Sequence, residues 1–444
     1  MAPIRRGVAR STPRETPVGG KNPRLMLSKA DNDLLIHTGP GTPMGDLYRR
    51  FWAPVMLAEE LGGPDSAPVR VNVLGENLVA FRDSNGKLGL LDAYCPHRRA
   101  NLFWGRNEEA GLRCVYHGWK FDVNGTCTDL PNCPEGPTLK NKVKTTAYPV
   151  LERGGIIWAY MGPAEKIPPF PDAEVFHAPA THRHIIKVKL RGNFAQMQEG
   201  DIDSSHVSFL HSSIDGSALP GSRANANTFV DKSPRWFTID TDYGMMLSAQ
   251  RNAGPDTFQW RVNQFLMPFC TLIAAQPGVP ILAQLRCPID DEHSFLFRVI
   301  ASPDRPITDE ERASYAAGVF VPEMIPGTDR MRESMANDYL IDRETQKSRT
   351  FTGIKSIVAQ DLAISEDQRG PIANRSDEML TSSDRAIIAL RKRLLTSVRN
   401  LAAGIEPPEA SNPKAYRVRP GDFMLPHDVP VADGAKDILL IGSH

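Results

Sequence analysis

Two short pairs restrict the fold of this chain more than any other feature: Cys95-Pro96-His97 and Cys114-Val115-Tyr116-His117. Each pair mixes a thiol with an imidazole. A two-Cys, two-His zinc finger instead pairs like with like, about twelve residues apart, with its histidines on a helix. Mixed pairs suit a [2Fe–2S] cluster with two thiolates on one iron and two imidazoles on the other. That ligand set raises the reduction potential above that of a four-Cys cluster. The alternatives are structural zinc or unrelated core residues. Pro96, Gly118 and Trp119 weigh against both. Tight turns let backbone N–H groups approach bridging sulfides, and an aromatic side chain keeps water off the cluster.

Such ligands belong on loops between stiff hairpins, and the flanks read that way. "APVRVNVLGENLVAFRDSNGKLGLLDAYCPH" (67–97) alternates apolar and polar residues across Gly75 and across Asn85-Gly86. Asn-Gly is a strong hairpin signal because a type I′ two-residue turn needs positive φ at both central positions. "WKFDVNGTCTDL" repeats the pattern at Asn124-Gly125, and "YPVLERGGIIWAYMGP" supplies a closing strand pair. Residues 45–160 are therefore expected to form a small antiparallel β domain. The Pro-rich "AEKIPPFPDAEVF" marks its end.

The remainder reads as α+β. Strands are expected in "HRHIIKVKLRGNF", "FVDKSPRWFTIDTDYGMMLSAQRN", "DTFQWRVNQFLMPFCTLIAA" and "SFLFRVIAS". Helices are expected over residues 194–212, in "ERASYAAGVF" and over 384–401, the last capped by Ser382 or Ser383. A chain of 444 residues exceeds one compact core, which agrees with two domains.

Lys plus Arg (52) balances Asp plus Glu (52), so nothing points to nucleic acid or an anionic membrane. No apolar run approaches the ~20 residues of a membrane helix. Cys127, Cys133, Cys270 and Cys287 are expected as free thiols in a reducing cytosol, a second metal or a disulfide at Cys127 and Cys133 being the alternatives. The basic, Pro/Gly-rich N-terminus lacks the apolar segment of a secretory signal. A disordered tail is expected there, with an organelle transit peptide as the weaker reading, and the protein is placed in the cytoplasm.

A second constellation lies in "NFAQMQEGDIDSSHVSFLHSS" (193–213). On an ideal helix His206 and His211 point about 140° apart; a π-bulge between them would bring them together. Asp203, three residues before His206, can orient it or pass it an electron. Two histidines and a carboxylate form the facial triad of Fe(II) oxygenases. Spacing leaves the carboxylate open among Asp338, Asp342, Asp361, Glu366 and Asp367. "GPGTPMG" (39–45) is too poor a match for a dinucleotide loop, and a turn is the better reading. No four-Cys ferredoxin motif is present.

"CPHRRANLFWGRNEEAGLRCVYHGWKFD" resembles the Rieske domain of ring-hydroxylating non-haem iron oxygenases. "TGPGTPMGDLYRRFW" and "QDLAISEDQRGPIANRSDEMLTSSDRAI" resemble the phthalate-dioxygenase-type branch, which includes aromatic-acid O-demethylases. The resemblance covers roughly residues 25–400.

It implies an all-β Rieske domain (26–165) after the tail (1–25), a helix-grip, START-like catalytic domain with an antiparallel sheet (166–410), and a C-terminal extension (411–444). It implies a [2Fe–2S] cluster on Cys95, His97, Cys114 and His117. It also implies Fe(II) on His206, His211 and Asp361, and Asp203 as the electron bridge to a neighbouring subunit in a homotrimer or homohexamer. Phe194 departs from the family's commoner Trp. The implied activity uses O2 and electrons from a separate NAD(P)H-dependent reductase, with or without a ferredoxin domain. The implied substrate is an aromatic carboxylic acid, undergoing ring dihydroxylation or O-demethylation. Arg251 and Arg261, in the sheet expected to line the cavity, are candidates for its carboxylate. The competing functions are a stand-alone Rieske electron carrier and a zinc-stabilised binding module.

Overall fold

The computed structural model describes residues 27–219 and 222–441. The tail expected over 1–25 lies outside them. The N-terminal half holds three antiparallel sheets. Trp52–Leu57, Ile156–Tyr160 and Val150–Arg153 form one, and Val69–Val73, Glu76–Arg82 and Leu88–Asp92 a second. Arg106–Glu108, Gly111–Arg113, Lys120–Phe121 and Cys127–Asp129 form the third.

The hairpins turn where expected, but two of the four do so differently. Leu74-Gly75 (50° and 77°) and Gly154-Gly155 (59° and 78°) have both residues at positive φ. At Asn85-Gly86 and Asn124-Gly125 only the glycine does, at 78° and 74°. These are longer loops, closed by Asp83 N–H to Lys87 O and Asp122 N–H to Thr126 O. The Asp83 and Asp122 carboxylates accept the turn's N–H groups, at 2.8–2.9 Å, and so favour the wider turn.

The C-terminal half is built on one sheet. Its strands are β1 (Arg183–Arg191), β2 (Arg235–Thr241), β3 (Gly244–Asn252), β4 (Thr257–Leu266), β5 (Cys270–Ile273), β6 (Ile281–Pro288) and β7 (His293–Ala301). They lie in the order β1-β7-β6-β5-β4-β3-β2, all antiparallel, and β8 (Gly421–Pro426) pairs with β4. Sequence pattern missed β6 and β8. Every residue of β6 is buried, Gln284 and Arg286 included, so its polar side chains do not mark a solvent face. β8 lies within 411–444, expected as an extension. Its Phe423 and Leu425 pack with Trp260 and Val262 of β4 as part of the sheet's own core.

Four helices matter below: α1 (Phe194–Ile202), α2 (Asp309–Ala316), α3 (Ile357–Glu366) and α4 (Arg385–Ala402). α4 buries Ala386, Leu390, Leu394, Leu395 and Val398 against the sheet residues Trp236 and Leu247, giving the helix-grip arrangement. Its start differs from expectation. Thr381, not Ser382 or Ser383, accepts the first N–H group and forms a capping box with Asp384 around a 3₁₀ turn that leads into α4. One apolar cluster runs through both halves, from Trp52 and Trp158 to Phe265 and Leu285. No described helix is long and apolar enough to cross a membrane.

Candidate metal centres

The two Cys-His pairs sit on matched loops. Cys95 N–H donates to Ala100 O while Cys95 O accepts from Arg99 N–H; Cys114 N–H donates to Trp119 O while Cys114 O accepts from Gly118 N–H. The fourth residue after each cysteine, Arg99 and Gly118, has positive φ (58° and 78°). At Gly118 a Cβ would also meet the Pro131 side chain at 2.6 Å.

Both thiols are buried. The two imidazoles meet edge to face, with ring centroids 4.5 Å apart, and Trp119 stacks on His97 at 4.4 Å. The aromatic cover expected of Trp119 is thus present. Burial pushes the Cys95 thiol up to about 11; the His97 backbone N–H opposes this and Cys114 adds to it. His97 Nδ1 is buried without a partner. Two adjacent buried thiols and two adjacent imidazoles, one with an orphaned nitrogen, are a donor set that fits a [2Fe–2S] cluster and leaves it poorly satisfied otherwise. All six cysteines are free.

The helix expected over 194–212 is two pieces, and no π-bulge joins them. α1 ends at Ile202. Asp203 is its extended C-cap (φ −75°, ψ 115°), and a separate turn of helix spans Val207–Leu210. Asp203 causes the break: its carboxylate accepts from Ser205 N–H at 2.7 Å and His206 N–H at 3.3 Å, replacing helical partners. His206 and His211 flank the short helix, and their Nε2 atoms lie 3.2 Å apart. Asp361, on α3, brings Oδ1 to 3.0 Å from His211 Nε2 and 3.6 Å from His206 Nε2.

The other four carboxylates stand elsewhere. Asp342 caps the helix Arg343–Ser348, Asp338 is in an exposed turn, Glu366 accepts from Tyr339, and Asp367 ends α3.

Each imidazole is held from behind. Asp203 Oδ2 lies 3.3 Å from His206 Nδ1, and Gln360 Oε1 lies 2.7 Å from His211 Nδ1. Gln360 is anchored in turn through Nε2 to Ile354 O at 2.6 Å. With both Nδ1 protons engaged, two Nε2 lone pairs and a carboxylate oxygen converge on one point. Such a set repels itself unless a cation stands between, so these residues fit a mononuclear metal. Burial would raise the Asp203 carboxyl, but His206 and the two backbone N–H groups hold it below its ordinary value.

A cleft opens from these residues toward the sheet and is walled by Arg223, Arg261, Asn263, Gln284, Arg298 and Phe320. Arg298 is 2% exposed. Its Nη1 donates to Gln284 Oε1 at 2.9 Å, and its Nε has no partner. Arg223 Nε and Nη2 are also buried without partners. Burial pushes these guanidinium groups down to about 9 and about 10, so both stay charged at neutral pH.

Of the two arginines expected here, Arg261 lines the cleft, with Nη1 3.3 Å from Asp422 Oδ2. Arg251 does not. Its guanidinium donates to Asp231 O at 2.9 Å and Ser204 O at 2.8 Å, bracing backbone. Arg223, Arg298, Gln284 and Gln360 were all missed from sequence. Only Gln360, beside Asp361, carried a local hint.

A Rieske domain joined to a helix-grip domain that bears a His-His-Asp set is the two-domain architecture of an oxygenase subunit. Residues 51–148 match the family described as Rieske [2Fe-2S] domain, and 159–419 the family described as LigXa C-terminal domain like. The chain is 40% identical to the phthalate 4,5-dioxygenase oxygenase subunit of Pseudomonas putida, over 85% of this chain and 88% of that one. It is 38% identical to the 3-chlorobenzoate-3,4-dioxygenase oxygenase subunit of Comamonas testosteroni, over 91% and 96%. A solved structure of dicamba monooxygenase shares the fold, with a TM-score of 0.58 at 20% identity over 80% of this chain and 98% of that one.

The chain belongs to the family of Rieske non-haem iron oxygenases, as an oxygenase subunit. It is an enzyme, not a stand-alone electron carrier. It uses a Rieske [2Fe–2S] cluster and a mononuclear iron, and it takes electrons from a separate reductase.

Proposed function

We propose that this subunit hydroxylates an aromatic carboxylic acid, by ring dihydroxylation of a phthalate-like substrate. The observation that carries the reading is the pair of buried, incompletely partnered guanidinium groups, Arg298 and Arg223, in the cleft that also holds His206, His211 and Asp361. A buried charge without a counter-ion is strongly unfavourable, and a ligand carboxylate offsets that cost. The planar N–H fork of arginine matches a carboxylate in two bonds. The relatives that act on phthalate and 3-chlorobenzoate agree with an acid of this class.

In this reading Cys95, Cys114, His97 and His117 hold the cluster, and His206, His211 and Asp361 hold iron. Bound there, the cluster carries single electrons and the iron activates O2. Asp203 and Gln360 keep the Nδ1 protons of the two histidines, so that each Nε2 offers its lone pair to the metal. Arg298 and Arg223 bind the carboxylate. Ile273, Leu282, Ile357 and Phe320 exclude water from the ring. Asp203 also stands on the electron path from the His117 of a neighbouring subunit, which calls for a closed assembly, in this reading a ring of three chains or two stacked rings. The enzyme works in the cytoplasm with an NAD(P)H-dependent reductase.

Oxygen uptake with a matched reductase, with product identification on phthalate, 3-chlorobenzoate and a methoxybenzoate, tests the reading. Arg298→Leu should raise KM for phthalate roughly ten- to a hundred-fold, the loss of a charge-assisted hydrogen bond. Unchanged KM in both Arg298→Leu and Arg223→Leu refutes the carboxylate site.

A further inference from the structure

Phe320 is where two cavities meet. The inner one is the metal-bearing cleft. The outer one opens beside α2, walled by Gln276, Glu311, Ser314 and Tyr315. Among the described residues only Ser222, Arg223 and Phe320 line both. Both are clefts open to solvent, and the outer one offers room beyond the Phe320 ring.

The ring of Phe320 is 8% exposed. The guanidinium carbon of Arg298 lies 4.2 Å from its centroid and that of Arg223 lies 5.3 Å away, with the Tyr315 ring at 6.1 Å. Stacking occupies the face of a guanidinium and leaves its in-plane N–H donors for a carboxylate. The same ring therefore bounds the cavity and fixes how the arginines present themselves.

The adjacent backbone is pinned. Val319 O accepts from Ile357 N–H at 2.9 Å, tying the segment to α3, which carries Asp361. The partition at this point is thus a side chain on a fixed backbone, and its size is set by residue type.

We infer that Phe320 is a specificity-determining residue. Its ring ends the reaction cavity and limits it to single-ring acids, and a smaller side chain there joins the outer cavity and admits a two-ring acid. This rests on the aromatic-acid reading above.

The test is anaerobic calorimetry on the metal-loaded holoenzyme, titrated with phthalate (one ring) and with a biphenyl dicarboxylate (two rings). Wild type should bind phthalate and bind the biphenyl diacid at least about tenfold more weakly. In Phe320→Ala the ratio of the two dissociation constants should shift about tenfold or more toward the biphenyl diacid. Phe320→Leu, which keeps an apolar plug, should shift it less and serves if the alanine variant does not fold. Phthalate binding with an unchanged ratio in the folded variants overturns the role of Phe320 alone. Binding of neither acid by any form overturns the aromatic-acid reading and this one with it.

Discussion

Gln360 shows how a single neutral side chain can decide whether two histidines act together. It accepts from His211 Nδ1 at 2.7 Å and is itself held by Ile354 O. Gln360→Leu keeps the volume and loses the acceptor. Iron titration of the stripped protein should then show affinity reduced about 10–100-fold. Arg251 makes the opposite case. It is as buried as Arg298 but bonds the Ser204 and Asp231 carbonyls. Arg251→Leu should leave phthalate affinity unchanged in calorimetry and destabilise the fold by about 1–3 kcal/mol in denaturant titration, since two buried carbonyls lose their donor.

Helix α1 is tied to α4 by one carboxylate. Glu199 Oε1 accepts from Arg375 Nε at 2.9 Å and Arg391 Nε at 2.8 Å, and Oε2 accepts from Arg391 Nη2 at 2.8 Å. Burial alone would raise the Glu199 carboxyl, but Arg375 and Arg391 together hold it below the ordinary value. A carboxyl lowered in the folded state contributes stability that is complete above its unfolded pKa of about 4.3 and is lost as pH falls through the folded value. Glu199→Gln should therefore flatten the acid limb of a Tm-against-pH profile. At pH 7 it should cost about 3–5 kcal/mol, as for breaking a buried pair. The element just after α1 was only half legible in sequence. The five-residue spacing of His206 and His211 announced that a regular helix cannot unite them. The remedy lay in Asp203-Ser204-Ser205, whose carboxylate-to-backbone bonds end the helix instead of bulging it.

Across the whole molecule, the two metal-type sets lie in different halves, and no hydrogen bond, ion pair or ring contact joins them among the described residues. Iron analysis of the purified protein should give about three irons per chain, two in the cluster and one in the triad. The proposed ring of subunits makes a sharper prediction. Chains with His117→Ala and chains with His206→Ala should each be inactive, and co-expression should restore turnover in mixed rings. Inactive mixtures would mean that electrons stay within one chain.

What the sequence determined by itself was local. The mixed Cys-His pairs, the positions of the hairpins though not the type of the two Asn-Gly turns, and the amphipathic stripe of α4 are set by residue type at short spacing, where ligand chemistry, glycine's positive φ and helical period leave few choices. The cleft was decided only by tertiary structure. Arg251 sits opposite Gln259 and Arg261 opposite Ala249, on one face of the sheet and one two-residue step apart. That step moves a side chain about 7 Å along the strands. It takes Arg251 out to backbone carbonyls and leaves Arg261 in the cleft. Arg298 and Gln284 meet because β7 pairs with β6 in a register that places them side by side. Strand register depends on partners distant in sequence, so no short motif could have named them.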